Sequence, residues 1–311
     1  MTASAVHPES ASLAIGESVP DHLKRYFLLR GHPRSGTNWV GRLLNLHPRI
    51  SCNGELHLNT LQAAFDNHRA SAPPMKRREE VMKTAQARLH DLVRACIREA
   101  AADEPCAIWI GDRTPAPLRM LLPGVRAILV VRDGRDVAVS WTYHHLRGMG
   151  SLGSLAESDK GMARAIAKFR VDPEYFVRNP RKLLVREAWV RGIGRAWAQR
   201  INADLDEAER VNGSERENRV LIVRYESLHE DIEAQRRQLY AFLGLDPGEA
   251  SPVASGDETT PGLEREDPTS FRRKGEVGDW KRYFSDKAKT WFEQEAGPAL
   301  QRLGYTRDAN W

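Results

Sequence analysis

Four short apolar runs punctuate the chain: Tyr26–Leu29, Ala107–Ile110, Ala127–Val131 and Val220–Val223. Each is bounded by charged or turn-forming residues, which predicts strands buried on both faces. Between them apolar residues recur at helical spacing. Trp39, Val40, Leu43 and Leu44 follow the first run, and that helix is expected to stop at His47-Pro48, because a residue before proline avoids α geometry. Val81, Ala85, Leu89, Leu92, Val93, Cys96 and Ile97 predict a long amphipathic helix within residues 75–101. Asp136 reads as the N-cap of a helix carrying Val137, Val139, Ser140 and Trp141. Further helices are expected over about 185–201 and 232–243, and one more closes the chain. Strands alternating with helices predict an α/β fold: a single domain with a mostly parallel sheet flanked by helices. Residues 1–20, rich in Ser, Ala and Pro, predict a disordered lead-in, which leaves 21–311 for the domain. Residues 144–182 have weak periodicity and read as loops and short helices, a natural place for a substrate lid.

The polar signatures fall where the strands end. After the first run comes Gly31-His32-Pro33-Arg34-Ser35-Gly36-Thr37-Asn38-Trp39, a strand–loop–helix turn. Such a turn leaves the first N–H groups of the helix unpaired, and with the helix dipole they make an anion site. The spacing of Gly31, Gly36 and Thr37 is that of a nucleotide P-loop, but no lysine follows Gly36; the cation is Arg34, two residues earlier. Asp112-Arg113 follows the second run, Arg132 the third and Arg224-Tyr225-Glu226 the fourth. In parallel sheets ligands bind beyond the carboxyl ends of the strands, so these groups are expected to share one site.

Composition narrows the classes. Apolar residues make up 41% of the chain and charged residues 29%, as in a soluble globular protein, and the net charge is +5. The excess suits an anionic partner but is spread over single arginines rather than blocks, which argues against a nucleic-acid tail. Three cysteines, Cys52, Cys96 and Cys106, have no pairing framework and read as reduced thiols. With no signal-like leader and no membrane-length apolar run, the expected location is cytoplasmic, with no membrane span. No metal-ligand spacing is evident, so no metal is expected.

Three motifs, in order, resemble the sulfotransferase family. His32-Pro33-Arg34-Ser35-Gly36-Thr37-Asn38-Trp39 is similar to its 5′-phosphosulfate loop. The segment Val130 to Ser140, with Arg132-Asp133-Gly134, is similar to its 3′-phosphate segment, and Arg273-Lys274-Gly275 with Gly278-Asp279-Trp280-Lys281 to its C-terminal signature. Val223-Arg224-Tyr225-Glu226 looks like the late strand whose tyrosine lies near adenine. The resemblance covers about residues 25–305 and implies a donor, 3′-phosphoadenosine 5′-phosphosulfate (PAPS), with 3′-phosphoadenosine 5′-phosphate (PAP) as product. Two anion sockets follow from that donor. Arg34, Ser35, Gly36, Thr37 and Asn38 would hold the phosphosulfate, while Arg132, Ser140, Arg273, Lys274 and Gly275 would hold the 3′-phosphate. Trp39 would stack on adenine beside Tyr225.

Arginine keeps its proton near neutral pH, so Arg34 would act electrostatically as charge develops on the leaving group. The acceptor hydroxyl or amine needs a base. The place where cytosolic members of the family carry a histidine reads Asp112-Arg113-Thr114-Pro115 here. The turn Cys52-Asn53-Gly54-Glu55 instead resembles the Gly-Glu turn of tyrosylprotein sulfotransferases, which implies Glu55 as base. His57 and Asp112 are the reserves, and His144 or His145 would line the acceptor side together with Trp141, Tyr143, Phe169, Tyr175 and Phe176. The acceptor itself, a small molecule, carbohydrate or peptide, is left open, as is the oligomeric state. Two rival classes remain: a P-loop kinase or NTPase, and a non-catalytic anion- or nucleic-acid-binding module. The missing lysine after Gly36 disfavours the first.

Overall fold

The computed structural model describes residues 17–71, 76–148, 160–214, 219–254, 266–308 and 311. Five parallel strands form the sheet: β1 (Arg25–Gly31), β2 (Ile50–Cys52), β3 (Trp109–Arg113), β4 (Arg126–Val131) and β5 (Val220–Arg224), in the order β2-β3-β1-β4-β5. β1 lies at the centre, with Leu28 level with Asp112 on one side and with Ala127 on the other. Alternate residues of each strand enter different cores. Phe27, Leu29, Ile128 and Val130 face one side of the sheet, and Leu28, Ala127, Leu129 and Val131 the other. That two-sided burial is why the strands read as continuous apolar runs.

Eleven helices are named here in chain order among the described residues. α1 (Thr37–Leu44), α2 (Asn59–Ser71) and α3 (Arg78–Ala100) precede β3; α4 (Gly134–Leu146), α5 (Lys160–Val171), α6 (Tyr175–Arg178) and α7 (Glu187–Gly213) lie between β4 and β5. α8 (Tyr225–Glu230), α9 (Ile232–Leu243), α10 (Trp280–Tyr283) and α11 (Asp286–Arg302) follow. α1 and α9 cover one face through Val40, Leu43, Leu239 and Leu243. α4, α7 and α11 cover the other, where Trp197 and Phe292 are fully buried.

Several local expectations are corrected. β2 was not foreseen: three residues are too few for a pattern, and they pair with β3 from Ile50–Trp109 to Cys52–Gly111. α1 ends at Leu44, before His47-Pro48, because the Asn45 side chain turns away to bond the Cys52 N–H at 2.8 Å and so starts β2. β3 runs on through Asp112 and Arg113, since the Asp112 carboxylate is paired inside the protein. The N-cap of α4 is Asp133, which accepts from the Arg135 N–H at 2.9 Å, and Asp136 has another task. The helix expected over 185–201 is α7 and continues to Gly213. Val19 is buried and its N–H donates to the Pro105 carbonyl at 2.9 Å, so ordered chain begins before position 20; residues 1–16 lie outside the described residues. The same holds for 149–159 within the expected lid.

The topology fixes where a ligand can go. The chain leaves β1 toward β2 and leaves β4 toward β5, in opposite directions, so a crevice opens between their carboxyl ends.

Candidate active site

The loop after β1 enters the crevice with Arg34 at φ 72° and Gly36 at φ 100°, both left-handed. For Arg34 that conformation carries strain of order 1 kcal/mol or more. Gly36 has to be glycine, since a Cβ there would meet Cδ2 of Tyr225 at 2.5 Å. α1 begins immediately afterwards, so the N–H groups of Thr37 and Asn38 open its N-terminus toward the crevice.

A cavity of about 260 Å³ occupies the crevice. Arg34, Gly36, Thr37, Asn38, Trp39, Glu55, Arg132, Ser140, Tyr225, Arg273, Lys274 and Gly275 line it, which gathers the first-choice base and every expected donor-binding residue except Ser35. Ser35 is fully buried, and its Oγ lies 2.6 Å from where a Gly31 Cβ would stand, behind the loop. Six cations line the cavity against the acids Glu55, Asp136 and Asp279, so its field favours an anion.

Arg34 bridges the two walls. Its Nε donates to Ser140 Oγ at 3.1 Å and its Nη2 to the Phe271 carbonyl at 2.7 Å, with the guanidinium 4.1 Å from the Phe271 ring centre. Burial, with Arg147, Arg132 and Arg273 close by, lowers its pKa to about 9, still protonated at neutral pH. Arg132 donates to the carbonyls of Arg34 at 3.2 Å and Glu276 at 3.0 Å, and stacks 4.0 Å from the Tyr225 ring centre. Its Nε is buried with no hydrogen-bond partner, as is Asn38 Oδ1. Buried polar atoms normally find partners, and these two belong to a wall built for a polar ligand.

Trp39 is nearly buried and meets Tyr225 and His229 edge-on at 5.4 and 5.0 Å. Tyr225 opens α8 and gives its hydroxyl to the Gly275 carbonyl at 2.7 Å, which ties the C-terminal loop to the loop after β1. Asp136 makes a second tie: it accepts from the N–H groups of Gly278 at 2.7 Å and Trp280 at 2.9 Å. Burial raises its pKa to about 6 despite Arg132 and those two donors. Arg273 arrives with three of its N–H donors engaged, by Glu266, by Tyr283 at 3.2 Å and by Asp279 at 2.5 Å. Burial opposes its charge, but Tyr283, Asp279 and Glu266 outweigh that and hold its pKa above the ordinary arginine value. Lys274 is shared between Glu276 and Asp279.

Glu55 stands at the edge of the cavity near Pro115, with its carboxylate 3.8 Å from His57 Nε2. Asp112 is corrected as a candidate base: it is fully buried, paired with Arg30 at 2.7 Å, and does not line this cavity. His144 lines the cavity, whereas His145 packs on Trp189 at 4.9 Å and bonds the Trp141 carbonyl. Tyr143, Phe169 and Phe176 are core residues, and none of the five expected aromatics lines the cavity. Arg42, Pro115, Asp136, Phe271, Arg272 and Asp279 do line it and were not singled out as ligand-facing. Arg42 could have been found one helical turn after Asn38, on the same face of α1. Among the described residues no cluster of His, Cys, Asp or Glu would hold a metal ion, and no helix is long and apolar enough to cross a membrane.

The sulfotransferase domain profile matches residues 24–304. The chain belongs to the sulfotransferase family. PAPS-dependent sulfuryl transfer, the reaction read from the sequence, is the activity of that family, and neither rival class finds support. The sulfotransferase has no match among curated proteins. Its fold is shared with a sulfotransferase domain from the curacin biosynthetic pathway, at 17% identity over 93% of this chain and 99% of that one, TM-score 0.50. Mouse sulfotransferase SULT7A1, solved with PAP, is similar at 18% identity over 92% and 86% of the two chains, TM-score 0.48. A sulfotransferase domain from a Synechococcus olefin synthase gives 18% over 88% and 96%, TM-score 0.45.

Proposed function

We propose that this sulfotransferase holds PAPS in the crevice between β1 and β4 and that Glu55 is the base for a hydroxyl of a small-molecule, carbohydrate or peptide acceptor. The observation that carries the reading is one cationic cavity shared by three sequence motifs that lie about 90 residues or more apart. When bound, PAPS supplies an activated sulfuryl group whose in-line transfer is helped by positioning and charge neutralisation.

The N–H groups of Thr37 and Asn38 and the guanidinium of Arg34 receive the phosphosulfate end. Arg34 has five N–H donors, and the two used by Ser140 and Phe271 leave the others for the developing negative charge. Ser140 accepts from Arg34, so its own proton remains to be donated. Arg132, Ser140, Lys274 and the backbone at Gly275 hold the 3′-phosphate; Arg273, which gives three of its five N–H donors to Glu266, Tyr283 and Asp279, adds its positive field. The Trp39 ring receives the adenine beside Tyr225. Glu55 takes the acceptor proton, and His144 and Phe271 line the approach. The three free cysteines support a reducing compartment, the cytoplasm.

Binding of PAP, ATP and an oligonucleotide, each with and without magnesium, tests the donor assignment. Selective binding of PAP that ignores magnesium is expected; preference for ATP with magnesium, or for the oligonucleotide, overturns it. Sulfate transfer from labelled PAPS to phenols, alcohols, sugars and peptides then identifies the acceptor class.

A further inference from the structure

The turn that presents Glu55 is held from behind by a buried chain of polar groups. Arg30 in β1 and Asp112 in β3 are fully buried and pair through Nη2 and Oδ2 at 2.7 Å. Arg30 also donates to the Asp112 carbonyl at 2.9 Å, which fixes both the backbone and the side chain of Asp112. The other carboxylate oxygen, Oδ1, faces the turn. It accepts from the Leu56 N–H at 3.1 Å and from the Thr114 hydroxyl at 2.7 Å. Thr114 Oγ1 in turn accepts from the His57 N–H at 3.1 Å. Both N–H groups that follow Glu55 are therefore tied to the end of β3.

The turn needs such ties. Gly54 at φ 76° and His57 at φ 52° are left-handed on either side of Glu55, and His57 lacks a glycine's freedom to adopt that conformation. A buried ion pair is a poor route to stability, because well-packed apolar side chains serve as well. What this pair adds is direction: with Oδ2 held by Arg30, Oδ1 points at the backbone that carries Glu55.

We propose that Arg30, Asp112 and Thr114 are positioning residues that aim the Glu55 carboxylate into the cavity. The proposal rests on the reading of Glu55 as base. A base works only within hydrogen-bond reach of the proton it takes, and a displacement of about 1 Å can cost about a hundredfold in rate.

Thr114→Val keeps the side-chain volume and removes the hydroxyl link, and it is compared with Thr114→Ser, Glu55→Gln and the double variant Thr114→Val/Glu55→Gln. The readout is PAP released from PAPS at saturation, with a mixed pool of phenol, alcohol, sugar and peptide acceptors. Thr114→Val is expected to lower turnover about tenfold with unchanged PAP affinity, which also certifies the fold. Thr114→Ser should recover most of the loss, and the valine should cost nothing further once Glu55 is glutamine. Wild-type turnover in Thr114→Val overturns the proposal, and so do equal losses with and without Glu55 or a parallel loss of PAP affinity. If Glu55→Gln is itself fully active, the base reading fails and the positioning role falls with it. If Glu55→Gln is inactive while Thr114→Val turns over normally, only the positioning role is lost. Thr114→Ala serves the same comparison where valine prevents folding.

Discussion

Arg34 Nε lies 3.1 Å from Ser140 Oγ, so the loop after β1 and the second turn of α4 meet at one hydrogen bond although 106 positions separate them. That contact fixes the guanidinium on the wall of the cationic cavity, between the two segments. Arg34→Ala should lower turnover by about 10²–10³-fold, the usual loss when one donor to a developing charge is removed. Circular dichroism and PAP binding would check that the fold survives; near-normal turnover would remove Arg34 from the mechanism.

Glu55→Gln keeps the shape of the side chain but cannot take a proton. Turnover should fall by about 10²–10⁴-fold while PAP affinity stays within about twofold. Steady-state kinetics and calorimetric PAP titration measure both. Loss of PAP binding in step with turnover would make Glu55 structural.

Lys274 and Arg273 are adjacent, yet their substitutions should differ in kind. Lys274→Ala is expected to weaken PAP about tenfold, and the 3′-hydroxyl analogue far less, as one charged hydrogen bond to a phosphate is lost. Arg273→Met leaves Glu266 and Asp279 only the more exposed Arg282 and Lys274 as partners and should cost about 1–3 kcal/mol of stability. Urea unfolding beside nucleotide titration separates the two, and equal effects from both substitutions would contradict the assignment.

His32 gives the pH dependence of stability a definite sign. It is nearly buried, its Nδ1–H donates to the Pro33 carbonyl at 2.7 Å, and burial lowers its pKa to about 4. Below pH 6.5 the unfolded chain takes up a proton that the folded protein refuses. The contribution is fully present above that value and is lost as pH falls toward 4. Between pH 7 and pH 5 this group alone should remove about 2 kcal/mol. Urea unfolding of wild type and His32→Gln at both values measures it, and identical pH slopes would show that His32 is not held neutral.

The sheet and most of the residues that line the cavity were legible because their signals are local. Runs such as Ala127–Val131 are apolar on both faces, and Arg34, Arg132 and Lys274 sit inside multi-residue motifs. What was misread depends on partners far away in sequence. Asp136 looked like a cap because caps are usual for aspartate before a helix; its true partners, the N–H groups at 278 and 280, leave no local trace. Asp112 looked available as a base because its buried counter-charge, Arg30, comes from another strand. Tyr143, Phe169 and Phe176 looked like acceptor lining because an aromatic pattern does not say which side of a helix faces the core.

The bonds from Asp136 to Gly278 and Trp280 also have a consequence for biosynthesis. The cavity wall that carries Arg273, Lys274 and Gly275 is unfinished until the segment 273–280 docks on α4, and that segment leads into α10 and α11. A ribosome that has delivered β1 to β5 has therefore made the five-stranded sheet but no complete nucleotide pocket. Nascent chains arrested before Asp286 should not be retained on an immobilised PAP resin, and capacity should appear only once the last helix has emerged.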